Sequence, residues 1–233
     1  MKMRVAFLAA SALCLMSWGS VFAADQLPDL RFTEDRFDIG CVGVDFKIRH
    51  TFKLVNHGTN TIHIDTVTAH CDCTEVRFRD STLAPGDTAR ILMIFSTANF
   101  YGPVEKDVRV VSTDSKMPAQ QINYTAVVGQ WLLKIEPRPV NVFFMPSQKV
   151  RISSLLNHAV DNISLTDIYL DEPVVDINVS KSEASKGDSL VFVLTPKPEL
   201  PAGTHLTNYT VSVDLHQNTP PLRITIPVKV VKY

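Results

Sequence analysis

The chain has 233 residues, with 23 Lys and Arg against 24 Asp and Glu, a formal net charge of −1 at pH 7. No long block of one sign occurs, so there is no electrostatic case for binding nucleic acid or an anionic membrane surface.

The N-terminus reads as an export signal. Lys2 and Arg4 form a short basic region, Val5 to Trp18 an uncharged apolar run, and Val21-Phe22-Ala23 a small-x-small pattern that predicts cleavage after Ala23. The apolar run is shorter than the ~20 residues a bilayer span needs, and nothing later resembles a transmembrane segment. Leu13 before Cys14 stands where a lipid-attachment signal requires a small residue, which argues against lipidation. Loss of Lys2 and Arg4 leaves 21 basic residues (23 − 2) against 24 acidic, a net −3, in a chain expected to be periplasmic or secreted.

After the leader, strand follows strand. From Phe46 to Leu54 the apolar residues fall on even positions and the charges on odd ones, the period of a half-buried strand. The turn His57-Gly58-Thr59-Asn60 leads to a strand with Ile62 and Ile64 inward. Val76 and Phe78 follow a cysteine pair, and Pro85-Gly86-Asp87 makes a tight turn. Ile91, Met93 and Phe95 mark the next strand, Tyr101-Gly102-Pro103 the next reversal, and Val108 to Val128 the closing pair. About seven short strands with turns between them predict an antiparallel immunoglobulin-like sandwich.

The pattern then repeats at an offset of 101 residues. Leu54-Val55-Asn56-His57 recurs as Leu155-Leu156-Asn157-His158, Gly86-Asp87 as Gly187-Asp188, Gly102 as Gly203 and Val110 as Val211. The period is that of a domain, not of a solenoid unit of about 20–50 residues. The expected organisation is a signal peptide at 1–23, a first sandwich at 24–130, a connector at 131–139 and a second sandwich at 140–233. Trp131, Leu132 and Leu133 are too apolar for a solvated linker and are expected to pack between the domains, with Pro137 and Pro139 stiffening the turn.

Cys14 leaves with the leader, so Cys41, Cys71 and Cys73 remain, all in the first repeat. An exported chain meets an oxidising compartment, and an odd count leaves one thiol over. The expectation is one disulfide from Cys41 to Cys71 or Cys73. The alternatives are a zinc or copper site built from Cys41, His70, Cys71 and Cys73, and thiol redox exchange. No cofactor is otherwise expected. His50 takes an apolar slot and reads as a hydrogen-bonded core histidine, His57 as a turn residue repeated at His158, and His63 as solvent-facing.

Phe37-Asp38-Ile39-Gly40, the run Phe52 to Gly58, Cys71-Asp72-Cys73-Thr74 and Pro85-Gly86-Asp87 leading to Ile91, Met93 and Phe95 together resemble a bacterial family of unknown function. That family is related to the Hydin-like, or ASH, immunoglobulin-fold domains. The likeness covers roughly residues 30–129. Asp72 replaces the glycine usual between the two cysteines. The resemblance implies an exported binding or scaffold module and brings no catalytic residues.

No nucleophile elbow surrounds any serine, and no helical metal motif occurs, so no enzyme is expected. The leading expectation is a module that binds another protein or polypeptide through a sheet edge or a loop end. The runner-up is a metal-binding or thiol-redox protein. A pilus-type chaperone, with basic residues such as Lys134 and Arg138 near the connector, is a third reading by analogy.

Overall fold

The structure, a computed structural model, describes residues 29–129, 135–139, 141–158 and 160–233. The cleavage site after Ala23 and the apolar trio Trp131, Leu132 and Leu133 lie outside the described residues, as does Lys134. The described residues form β-strands and no α-helix, and the chain is all-β.

The first half contributes β1 (Leu30–Phe32), β2 (Arg36–Val42), β3 (Lys47–Asn56), β4 (Ile62–Ala69), β5 (Thr74–Phe78), β6 (Thr82–Leu83), β7 (Thr88–Ser96), β8 (Gly102–Ser112) and β9 (Ala119–Val128). The second half answers with β10 (Ile135–Arg138), β11 (Val142–Phe144), β12 (Arg151–Asn157), β13 (Asn162–Leu170), β14 (Val175–Lys181), β15 (Glu183–Ser185), β16 (Ser189–Pro196), β17 (Gly203–Asp214) and β18 (Leu222–Lys232). Order and pairing match strand for strand. Sheet β1-β3-β7-β5 corresponds to β10-β12-β16-β14, and β4 pairs with β8 as β13 pairs with β17. Even the β-bulge between Ile64 and Thr66 recurs between Leu165 and Asp167, at the sequence offset. The sheets are those of immunoglobulin-like antiparallel sandwiches and enclose two buried cores.

The alternation read from sequence sets the first core: Ile48, Phe52 and Leu54 of β3 are buried, with Ile91, Met93 and Phe95 of β7 against them. The turns are held by the repeated asparagine rather than by the histidine beside it. Asn56 Nδ2 donates to the carbonyls of Asn60 and Leu83, and Asn157 Nδ2 to those of Val160 and Ala184. Both asparagines are buried, while His57 is exposed.

Two features depart from expectation. Residues 135–138 are not free connector: they pair antiparallel with β12 and begin the second sandwich. Pro137 is tolerated there because β10 is an edge strand, where a missing N–H costs no ladder bond. The two halves also share one sheet, which strand alternation alone does not show. The parallel strand β2 lies between β9 of its own domain and β18 of the other, so one ten-stranded sheet runs through both.

Candidate functional site

Strand β2 decides where the cysteines go. Its pairing with β9 shifts register between Asp38 and Cys41, and Gly40 sits at φ 75°, in the left-handed region. The irregularity breaks the alternation. Phe37, Ile39 and Val42 enter the first core, while Cys41 enters the second domain's core with Ile224 and Val127 beside it. Cys41 is therefore a buried free thiol, and the expected disulfide from it does not form. Burial, with help from the nearby charge of Asp38, pushes its thiol up to about 11. It is an inert core residue at neutral pH.

The disulfide joins Cys71 to Cys73 across the bend between β4 and β5, with Cα atoms 5.2 Å apart. Asp72 is not among the residues with positive φ, so the bend does not need a glycine there. Among the described residues no group of three or more His, Cys, Asp or Glu is placed to hold a metal, and Cys41 and Cys73 pack into different cores. Loop-closure entropy separates the observed bond from the expected one. A link from Cys41 would have closed a loop of roughly thirty residues and contributed about 3.6 kcal/mol, whereas a ring of about three residues contributes only about 1.6 kcal/mol. The observed bond is a weak staple.

Its surroundings are ordered and polar. The Thr74 hydroxyl lies 3.5 Å from Cys71 Sγ and 3.6 Å from Cys73 Sγ, and it is hydrogen-bonded in turn to the Tyr124 hydroxyl. Burial pushes the Tyr124 phenol up to about 12, so it stays protonated. Cys73 packs against the first core, and Cys71 lies outside it. Next to the pair, exposed His70 is held at Nδ1 by Asp107.

A second cluster seals the two sandwiches together. β1 covers only Leu54 to Asn56 of β3, which leaves the N–H groups of Arg49 and Thr51 on an open edge. The second domain caps them: Arg49 N–H donates to Asn208 Oδ1 at 2.8 Å and Thr51 N–H to Asp171 Oδ1 at 3.1 Å. His50 is buried as expected, with Glu34 2.7 Å from Nε2 and Asp171 3.0 Å from Nδ1, and its ring stacks on Phe37 at 3.5 Å. The Tyr169 hydroxyl donates to Asp171 at 3.2 Å. Burial, with the Asp171 charge added, moves that phenol well above its usual range. The guanidinium of Arg223 covers the Phe37 ring, and the Thr225 hydroxyl donates to Ile39 O at 2.5 Å. Sequence periodicity marks the burial of Phe37 and His50 but carries no sign of Asp171, Tyr169 and Arg223, which lie more than a hundred residues away.

Beside this seal runs a cleft of about 780 Å³ between the outer face of β3-β7-β5 and the Tyr169–Pro173 segment. Arg49, Lys53, Arg77, Arg79 and Arg90 line it, against Asp80, Asp171 and Glu172. Arg49 is paired with Glu172 and Arg77 with Glu75, while Asp171 is spent on the seal. No ion pair engages Lys53, Arg79 or Arg90 among the described residues. Lys53 and Arg90 are direct cross-strand partners, so two like charges face each other. Phe78, Leu92 and Leu170 add apolar surface, and β5 is the outer strand of its sheet, with one edge unpaired. Arg138, flagged from sequence, is bound to Glu136 and does not line the cleft.

A wider depression of about 910 Å³ at the far end of the second domain holds Ser164, with Oγ 3.2 Å from His216 Nε2. Asp214 approaches His216 Nδ1 at 3.5 Å. The Leu165 N–H next to the serine is bonded to Ser182 O. Ser164, His216 and Asp214 form a surface hydrogen-bond chain.

The strand order and the two cores define the class: an all-β protein of immunoglobulin-like antiparallel sandwiches. Residues 30–128 match the model of a family described as "Protein of unknown function (DUF1573)". No curated protein matches the chain. Among solved structures it is similar to a protein of unknown function from Porphyromonas gingivalis W83, at 11% identity over 87% of this chain and 99% of that one, with a TM-score of 0.37. The ASH / PapD-like domain of human CEP192 matches at 11% identity over 55% of this chain and 96% of that one, TM-score 0.35. The E. coli chaperone DraB matches at 9% identity over 86% and 97%, TM-score 0.33.

Proposed function

We propose that the chain is an exported, non-catalytic binding module, and that its interdomain cleft takes an acidic segment of another protein. The carrying observation is the charge of the cleft. On a chain of net charge −1, cationic side chains converge there, and Lys53 and Arg90 oppose each other across one strand pair. That repulsion is retained at a cost in the free protein, and an anionic occupant relieves it. The apolar residues and the unpaired edge of β5 favour an extended polypeptide over a small anion, since a strand can satisfy that edge and place alternate side chains in the cleft. The export signal read at residues 1–23 sets the compartment as periplasmic or secreted, and the motif run from Phe37 to Phe95 supports kinship of the first sandwich with the Hydin-like domains. No cofactor enters this reading.

Exposed ion pairs contribute about 0.2–1 kcal/mol each, so three free cations favour an acidic peptide over a neutral one by up to about a hundredfold at low salt. Titration with a labelled ten-residue peptide of alternating Glu and Leu, beside its Lys/Leu counterpart, tests this. The expected result is selective binding of the acidic peptide, weakened by salt and by the double substitution K53E/R90E. Equal affinity for both peptides, or none changed by K53E/R90E, overturns the reading.

A further inference from the structure

We propose that the Cys71–Cys73 disulfide is a working bond that accepts two electrons from a dithiol on a partner protein, independently of what occupies the cleft. The bond closes a ring of three residues and so restrains little of the unfolded chain, and its opening leaves the rest of the fold in place. It lies in a partly exposed bend, unlike Cys41, which is buried and protonated and takes no part. The two sulfurs are unequal. Cys73 is anchored against the first core and its carbonyl accepts the Ser96 N–H at 2.8 Å, whereas Cys71 stands outside that core.

A partner thiolate attacks Cys71 Sγ, the Sγ–Sγ bond breaks, and a mixed disulfide forms at Cys71. Cys73 departs as a thiolate with the Thr74 hydroxyl 3.6 Å away, within reach to donate to the sulfur, and that hydroxyl is itself hydrogen-bonded to the Tyr124 hydroxyl. Cys73 then takes up a proton. The partner's second thiolate attacks its own sulfur in the mixed disulfide, forms the partner disulfide and releases Cys71, which is protonated in turn. One protein disulfide and two partner thiols become one protein dithiol and one partner disulfide, so two electrons and two protons move to Cys71 and Cys73.

The test uses the full mature chain and a reduced synthetic peptide carrying two cysteines. Mass spectrometry is expected to find one oxidised peptide per protein reduced, a gain of two hydrogens on the Cys71–Cys73 tryptic fragment, and an unchanged far-ultraviolet circular dichroism spectrum. With glutathione disulfide, C73S, which keeps Cys71, is expected to form a mixed disulfide at least tenfold faster than C71S, which keeps Cys73. Two results overturn the proposal: a bond that yields only when the domain unfolds, or equal mixed-disulfide rates in the two variants. Neither outcome bears on the peptide titration of the cleft, so the two readings fail separately.

Discussion

Substitution of Gly40 by alanine tests the seam between the domains most directly. A Cβ built on Gly40 falls 2.5 Å from Arg223 Cβ and 2.6 Å from Arg223 O, so it collides with the backbone of β18 and not with a movable side-chain tip. Two costs add. The left-handed φ of 75° costs alanine about 1–2 kcal/mol, and overpacking against a fixed strand a further 1–3 kcal/mol or so. The total is roughly 2–5 kcal/mol, which for a chain of this size lowers the thermal midpoint by about 10 °C. Gly86→Ala is the matched control. Its φ is 87° but nothing lies within 4 Å of the added Cβ, so only the backbone cost of about 1–2 kcal/mol applies. Differential scanning calorimetry on G40A and G86A reads the difference, and maleimide labelling of Cys41 reports whether the seam has opened. Cys41 shares the β2–β18 pairing, so G40A is expected to raise its labelling rate while G86A leaves it unchanged. Equal midpoint shifts in the two variants, with Cys41 still protected in G40A, would refute the claim that close approach of β2 and β18 holds the domains together.

Two further outcomes rest on ionisation. Because the Cys41 thiol is pushed up to about 11 in the folded chain, the native state keeps its proton where the unfolded chain, near 9, has lost it. Its contribution is fully present below pH 9 and is lost as pH rises through about 11, roughly 2–3 kcal/mol that Cys41→Ala should remove from the urea-midpoint difference between pH 8 and pH 11. An identical alkaline slope in wild type and variant would count against this. Asp114 behaves oppositely. Burial works against its charge, but the backbone N–H groups of Leu30, Lys116, Met117 and Asp29 outweigh burial and hold its carboxyl below the usual aspartate range. Its contribution is present above the unfolded value near 4 and is lost as pH falls through the lower folded value. Asp114→Asn is expected to cost about 1.5–3 kcal/mol at pH 7 and to flatten the acid limb of the urea-stability curve, and an unchanged acid limb would contradict that account.

The strand series and most of each core are legible in the amino-acid sequence alone. Those features rest on local periodicity: alternation of two places Ile48, Phe52 and Leu54 inward, and Gly86 and Gly187 mark turns whatever surrounds them. The sequence determined less wherever a residue's role depends on a partner far along the chain. Cys41 follows the alternation of Phe37 and Ile39 on paper, yet the irregularity at Gly40 turns it into the other domain, because a single bulge reverses the facing of every residue beyond it. His50 is recognisable as buried, but its acceptor Asp171 and the cap on the β3 edge come from the second sandwich. The basic cleft is invisible in a chain of net charge −1, because Lys53, Arg79 and Arg90 meet only when β3, β5 and β7 align and the second domain closes one side. Periodicity encodes which face of a strand is inward. Only tertiary packing decides which neighbour that face meets, because the contact forms between segments whose separation along the chain leaves no local trace.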